Sequence, residues 1–478
     1  MADDPLPFAS LGPIGINAWT GTTSPRSPFV DARDGWAVAT SPLRAQQSAA
    51  PHPPGPEAWQ DPRIGWGLVL PYRPGLTPEQ LGTADDAPEP IRALLAARPA
   101  SRVLRYRPGT ANSDWVLHDY LGAASPMIAT APEGIAPGCI PGYLLIAASP
   151  AEVPWLLQYE LNVVRRVGRL DLPPEGLANY VQALLSGWSD CQTRYDSPLV
   201  WATDHGGGDI TSLMRDVVAE PIYAAYRADQ DGDMSNAVFL DGRGGDATGA
   251  ALAAALAAQR PSVVVTSSHG QTGPADRPEE MLALLGALVD ADHQAVSPAT
   301  LLAGWQPAGA VWFAQACCSA GSESPSLYRG LFDEAAAVGR VLEQVAALGA
   351  RVAPLPQALL GAPAPLRAFI GHVEPTFDWT LVYPPTRQWL SSSLVELMYT
   401  GVCSGRPVGL ALDEARLYDA VGSLLIGHLR EVSRYASASG RPARRTALDK
   451  ALYSKVTAFD RASTVLLGDP TVAIPLPP

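Results

Sequence analysis

Two apolar runs in this chain stop at residues that could do nucleophilic chemistry together. Val311 to Gly321 reads VWFAQACCSAG and ends in adjacent cysteines, while Ser262 to Gly270 reads SVVVTSSHG and ends in an imidazole. A thiol beside an imidazole can lose its proton and attack a carbonyl carbon, provided that N–H groups receive the oxyanion. Cys317 supplies the sulfur and His269 the imidazole. Gly270 leaves its backbone N–H open to a carbonyl oxygen, and the N–H of Cys317 completes the oxyanion pocket. Loss of one such donor costs roughly 10²- to 10³-fold in rate. Adjacent residues at a strand end point to opposite faces, so only one of Cys317 and Cys318 can face the imidazole.

The elements that must position these groups follow from periodicity. Strand-like runs at Pro198–Thr203, Asn236–Asp241, Ser262–Ser268 and Gly309–Ala316 alternate with helical patterns at Ile210–Ala219, Thr248–Gln259 and Pro278–Leu288. Asp246 or Thr248 serves as the cap of the alanine-rich helix. Apolar strands alternating with helices imply a mostly parallel sheet covered on both faces, with ligands beyond the carboxyl ends of the strands. Asp204, His269 and Cys317 each follow the end of such a strand, so a carboxylate, an imidazole and a thiol are expected to share one cleft. His205 reads as an exposed loop residue. Upstream, GYLLIAA (Gly142–Ala148), the periodic stretch Leu156–Val167 and the helical stretch Leu177–Trp188 outline a smaller α/β unit. The expected organisation is an irregular Pro/Gly-rich segment over 1–60, an amino-terminal α/β domain over 61–190 and a catalytic domain over 197–478.

His269 and Cys317 are 48 residues apart, and Gln315-Ala316-Cys317 forms a Q-A-C element, as in the caspase signature. Together with SSHG and the closing segment LLGDPTVAIPLP (Leu466–Pro477), these residues resemble the caspase-like cysteine peptidases, which include gingipains, legumain, separase and bacterial CHAT domains. Ala316-Cys317-Cys318-Ser319-Ala320-Gly321 is similar to the A-C-x-G-A-G of some bacterial relatives and favours Cys317 as nucleophile, although the caspase pattern itself has glycine two residues beyond it. YLLIAASPAEVPW (Tyr143–Trp155) with GRL (Gly168–Leu170) is similar to the amino-terminal subdomain of gingipains. The resemblance implies a caspase-like three-layer sandwich and a thiol protease acting on a protein or peptide substrate. It also implies a specificity pocket lined by Asp204 and Gln315, whose acidic floor would select Arg or Lys on the acyl side of the cut. Bacterial relatives often act in defence or cell-death pathways, with an activating or regulatory protein as partner. The reading from another class is a catalytically silent scaffold that keeps the fold for protein contacts.

Composition narrows the alternatives. A net charge of -13, with no basic cluster beyond Arg441–Arg445, argues against nucleic acid as a partner. No signal-like segment and no apolar run long enough to cross a bilayer are read, so a cytoplasmic, membrane-free protein is expected. The five cysteines lack paired spacing and the seven histidines are scattered, so neither disulfides nor a metal is expected, and no cofactor is required. Gly401–Gly405 (GVCSG) has the form of a hydrolase nucleophile elbow, with His428 downstream, but helical residues precede it where a strand is needed. GRGGDATG (Gly242–Gly249) lacks the Walker lysine and reads as a turn and a helix start. Self-cleavage, in a loop such as Ala225–Asn236, is left open as a mode of activation.

Overall fold

The structure is a computed structural model that describes residues 14–27, 55–109, 115–190, 192–229 and 231–477. Most of the segment read as irregular over 1–60, including PHPP at 51–54, lies outside the described residues, as do Cys191 and Gln230. The protein is α/β. Its centre is a ten-stranded sheet to which the strands within 66–170 contribute four members and those within 199–468 contribute six.

The strands form where apolar and β-branched residues run together, and they are short. Val263–Ser267 and Val311–Gln315 are buried at every position, as expected of strands covered on both faces. They pair in parallel with Ser267 opposite Gln315, and Val263–Ser267 pairs on its other side with Leu199–Ala202. Helices start where the sequence supplies caps. Thr248 accepts a hydrogen bond from the N–H of Ala251 and starts Gly249–Gln259, so of the two candidate caps it is the threonine that serves. Asp209 does the same for Ile210–Met214, and proline opens both Pro174–Leu185 and Pro278–Leu284. The helix expected over Pro278–Leu288 is cut short because Leu288–Val289 pairs with His269–Gln271 as a strand.

Every junction in the large sheet is parallel except one. Ala368–His372 and Thr464–Gly468 run antiparallel, which divides the sheet into two parallel blocks of opposite direction. The carboxyl ends of Leu199–Ala202, Val263–Ser267 and Val311–Gln315 therefore share one edge, while those of the amino-terminal strands lie at the other. The two sequence regions are not separated by a break in the sheet, because Arg166–Leu170 pairs in parallel with Thr464–Gly468 through Leu466 opposite Gly168. One hydrophobic core runs through both, from Trp66 and Leu145 to Val265, Phe313 and Ile370. Behind the amino-terminal strands Val69, Leu104, Ile146 and Val167 build a smaller second core.

The closing Gly-Asp-Pro element ties this junction together. Asp469 is fully buried, pairs with Arg98 at 3.0 Å and accepts from the indole N–H of Trp66 at 3.1 Å. Gly168 lets the chain pass, since a Cβ there would stand 2.0 Å from the carbonyl oxygen of Gly468. Gly168→Ala is expected to force these two backbones apart and cost about 1–3 kcal/mol, read as a lowered midpoint of thermal unfolding in calorimetry.

Candidate active site

The site is assembled at the carboxyl edge of three neighbouring strands. Beyond Ser267 the N–H of Ser268 still bonds the carbonyl of Gln315, and the chain then turns into the short strand His269–Gln271. Gly270 is pressed against the nucleophile candidate, because a Cβ at this position would stand 1.9 Å from the carbonyl oxygen of Cys317 and 2.8 Å from its nitrogen. Only glycine admits that contact. The segments that carry His269 and Cys317 thus meet through Gly270, and both side chains are fully buried. Among the described residues no hydrogen bond joins imidazole and thiol, the sulfur being bonded by Thr376 and the ring by Asp209.

The carboxylate on the imidazole is Asp209. His269 Nε2 donates to both of its oxygens, at 3.0 and 3.1 Å. Asp209 is in turn held by the N–H and hydroxyl of Thr211 at 2.8 and 2.6 Å, the helix cap described above. Burial by itself would raise this carboxyl, but the hydrogen bond and charge of His269, with Thr211, hold it far below the usual carboxylate range. Because Nε2 carries the donated hydrogen, the other nitrogen, Nδ1, is the acceptor in the neutral ring. It is buried without a hydrogen-bond partner among the described residues.

Cys317 Sγ accepts from the backbone N–H of Thr376 at 3.1 Å. Burial pushes its thiol far above the ordinary range, against the smaller opposing pull of the N–H groups of Thr376 and Asn17. Cys318 is also buried, in a left-handed conformation with φ 56°, and donates its N–H to the carbonyl of Glu374. Such a conformation in a residue other than glycine costs about 1–3 kcal/mol and collects at functional turns.

The expected specificity residues are not brought together. Asp204 pairs with Arg243 at 3.0 Å and also accepts from Ser212 and the N–H of Gly206, so its charge is already answered. Burial acts against ionisation of Asp204, and the hydrogen bonds from Ser212, Gly206 and Arg243 outweigh it and lower its carboxyl. Gln315 points into a separate cavity of about 30 Å³ with His372, Thr380 and Asp460. His205 is not an exposed loop residue: it is half-buried, bonds the carbonyl of Asp290 at 3.0 Å and stacks on His293. Cys403 sits in a single turn that continues the helical stretch before it, and His428 bonds the carbonyl of Ala451, so neither builds an elbow.

Sequence reasoning missed Asp209, Thr376, His293 and the segment around Asn17. Asp209 carried a signal, as an acidic residue directly before the first apolar residue of a helix; the others carried none. No metal was expected, yet His205, Asp209 and His269 each offer a ligand atom within 4.8 Å of the others. A cation held there would occupy the imidazole that proton transfer needs. In sequence comparison no protein-family model matches the chain, and no curated protein matches it either.

Two outcomes are expected. In ¹⁵N-histidine spectra His269 should appear as the Nε2–H tautomer, lost in Asp209→Asn and kept in Asp204→Asn. Beneath Thr376, the buried Glu374 accepts from Leu327 N–H and Ser326, and burial pushes its carboxyl from 4.5 up to about 8, against the pull of the Leu327 N–H. The folded state then holds a proton that the unfolded state releases, so this contribution to stability is lost as pH rises from about 4.5 through about 8. Glu374→Gln should make the decline of the unfolding midpoint over that range less steep.

Proposed function

We propose that the protein is a cysteine endopeptidase of the caspase-like type, with Cys317 as nucleophile, His269 as proton carrier and Asp209 as the residue that orients the imidazole. The observation that carries this reading is the His269 ring, whose Nε2 is fixed on a carboxylate and whose Nδ1 stays unpaired on a backbone pressed against that of a cysteine. The thiol proton passes to Nδ1 and the sulfur attacks the scissile carbonyl. The N–H groups of Gly270 and Cys317 receive the oxyanion. The imidazolium then protonates the leaving amine, the C–N bond breaks, and water activated by the same imidazole hydrolyses the thioester and restores the thiol.

The expected cut after Arg or Lys has less support than the chemistry. With Asp204 paired to Arg243 and Gln315 in another cavity, the two expected pocket residues do not form a free acidic floor beside Cys317. The rival reading, a silent scaffold, draws on one observation, the complete burial of Cys317. Among the described residues no helix is long and apolar enough to cross a membrane.

A quenched-peptide library with varied acyl-side residues separates these readings. Cleavage should vanish in Cys317→Ala with unfolding unchanged, fall about 10²- to 10⁴-fold in His269→Ala, and persist in a chelator. No cleavage by any form supports the scaffold, and loss on chelation supports a metal centre at His205, Asp209 and His269.

A further inference from the structure

The residues that cover Cys317 come from the start of the same chain, and they lie there as a substrate would. Ile14–Gly15 and Arg26–Ser27 pair as a small antiparallel ribbon, and Ile16 to Trp19 thread between two backbones of the site. On one side, Ile16 forms an antiparallel bridge with Phe377, and the N–H of Asn17 donates to the carbonyl of Thr376 at 2.9 Å. The N–H of that same Thr376 grips the sulfur of Cys317. On the other side, Ala18–Trp19 pairs in parallel with Gly270–Gln271. The carbonyl of Asn17 accepts from the N–H of Gly270 at 3.4 Å, and that of Trp19 from Thr272 at 3.1 Å. The one carbonyl on the proposed oxyanion donor is therefore that of Asn17, so the peptide bond presented is Asn17–Ala18.

The side chain of Asn17 is fully buried, and its amide nitrogen donates to the carbonyl of Ser268 at 2.7 Å. A backbone carbonyl at that depth accepts hydrogen bonds and offers none. Aspartate there would set a carboxylate against it, while Lys or Arg would have to fit a longer chain into a space that the three heavy atoms beyond Cβ of asparagine already fill. A site built around one substrate N–H rejects analogues that lack it. Trp19 lies over His269, His205 and His293, with ring centroids 5.8, 6.0 and 4.4 Å away, and closes the proton carrier off from solvent.

We propose that Ile14–Trp19 is a built-in substrate, that Cys317 cleaves the Asn17–Ala18 bond of its own chain, and that the site selects asparagine on the acyl side. This rests on the peptidase reading above. The sulfur bonds to the Asn17 carbonyl carbon, the C–N bond to Ala18 breaks with the proton from His269 going to the Ala18 amine, and water hydrolyses the thioester to leave Asn17 with a free carboxylate. Release of everything upstream of Ala18 removes the strand residues from Thr376 and Phe377 and opens the thiol.

The test follows the purified full chain by intact mass and amino-terminal sequencing, beside peptides of the form Ile-Gly-Ile-X-Ala-Trp added in trans. The expected result is a new amino terminus at Ala18 that never forms in Cys317→Ala, and faster alkylation of Cys317 after the cut. Asn17→Asp and Asn17→Lys should slow the cut by about tenfold or more, and the peptide with X = Asn should exceed those with Asp, Lys or Arg by a similar factor. Should a variant at Asn17 misfold, the peptide series on the wild-type chain carries the specificity test. Cys317-dependent cleavage of other peptides, with the Asn17–Ala18 bond intact, overturns this inference and leaves the peptidase reading standing. Absence of any Cys317-dependent cleavage, of the chain or of peptides, overturns both.

Discussion

The contact between Gly270 and Cys317 is the constraint on which the rest of the site depends. Two strand ends can normally approach only to the spacing of a hydrogen-bonded pair, with side chains filling the gap beyond. Here a missing Cβ lets one backbone fall onto another, at a distance where any side-chain atom would overlap a carbonyl oxygen. That approach sets the imidazole of His269 and the sulfur of Cys317 on touching segments. Beside that contact the N–H of Gly270 donates to the carbonyl of Asn17 at 3.4 Å.

The sheet explains why this edge is available. Because the two parallel blocks run in opposite directions, the loops after Leu199–Ala202, Val263–Ser267 and Val311–Gln315 gather without competition from those of the amino-terminal strands. Ala368–His372 belongs to the same block, and the chain that leaves it carries Glu374, Thr376 and Phe377 back across Cys317. The antiparallel partner, Thr464–Gly468, locks the block to the amino-terminal strands through Asp469, Arg98 and Trp66. A salt bridge this deep needs its hydrogen bonds satisfied to offset desolvation, and Asp469 also accepts from Thr471.

Carboxyl groups around the site are driven in opposite directions by their surroundings. Asp209 meets an imidazole and two donors from Thr211 and stays ionised. Glu374, Asp460 and Asp378 are pushed up by burial, to about 8, about 7 and about 6, because desolvation outweighs the donors that reach them and the charges of Arg461 on Asp460 and Arg26 on Asp378. Of these four carboxyls, the one that touches His269 keeps its charge to the lowest pH. Burial holds the thiol neutral as well, against the smaller pull of the N–H groups of Thr376 and Asn17.

Much of the architecture was legible from the residues alone. Apolar runs such as VVV at Val263–Val265 and VWFA at Val311–Ala314 determine buried strands, since a run without polar positions has no solvent-facing side, and Thr248, Pro174 and Pro278 mark helix starts by local hydrogen bonding and fixed φ. That His269 and Cys317 would follow neighbouring strands at one edge was also legible, because strand ends of a parallel sheet share an edge. What the chain could not disclose locally was which carboxylate reaches the imidazole: Asp204 and Asp209 both stand in one loop, and the choice turns on Arg243 claiming the first and a helix cap aiming the second. The covering of Cys317 by Asn17 was invisible for the same reason, being a contact across about 300 residues that no periodicity encodes. Sequence pattern determines which segments are buried and extended; only the packed chain decides which of several chemically equal groups arrives within hydrogen-bond distance, because that depends on close approaches such as that of Gly270, made between segments remote from one another.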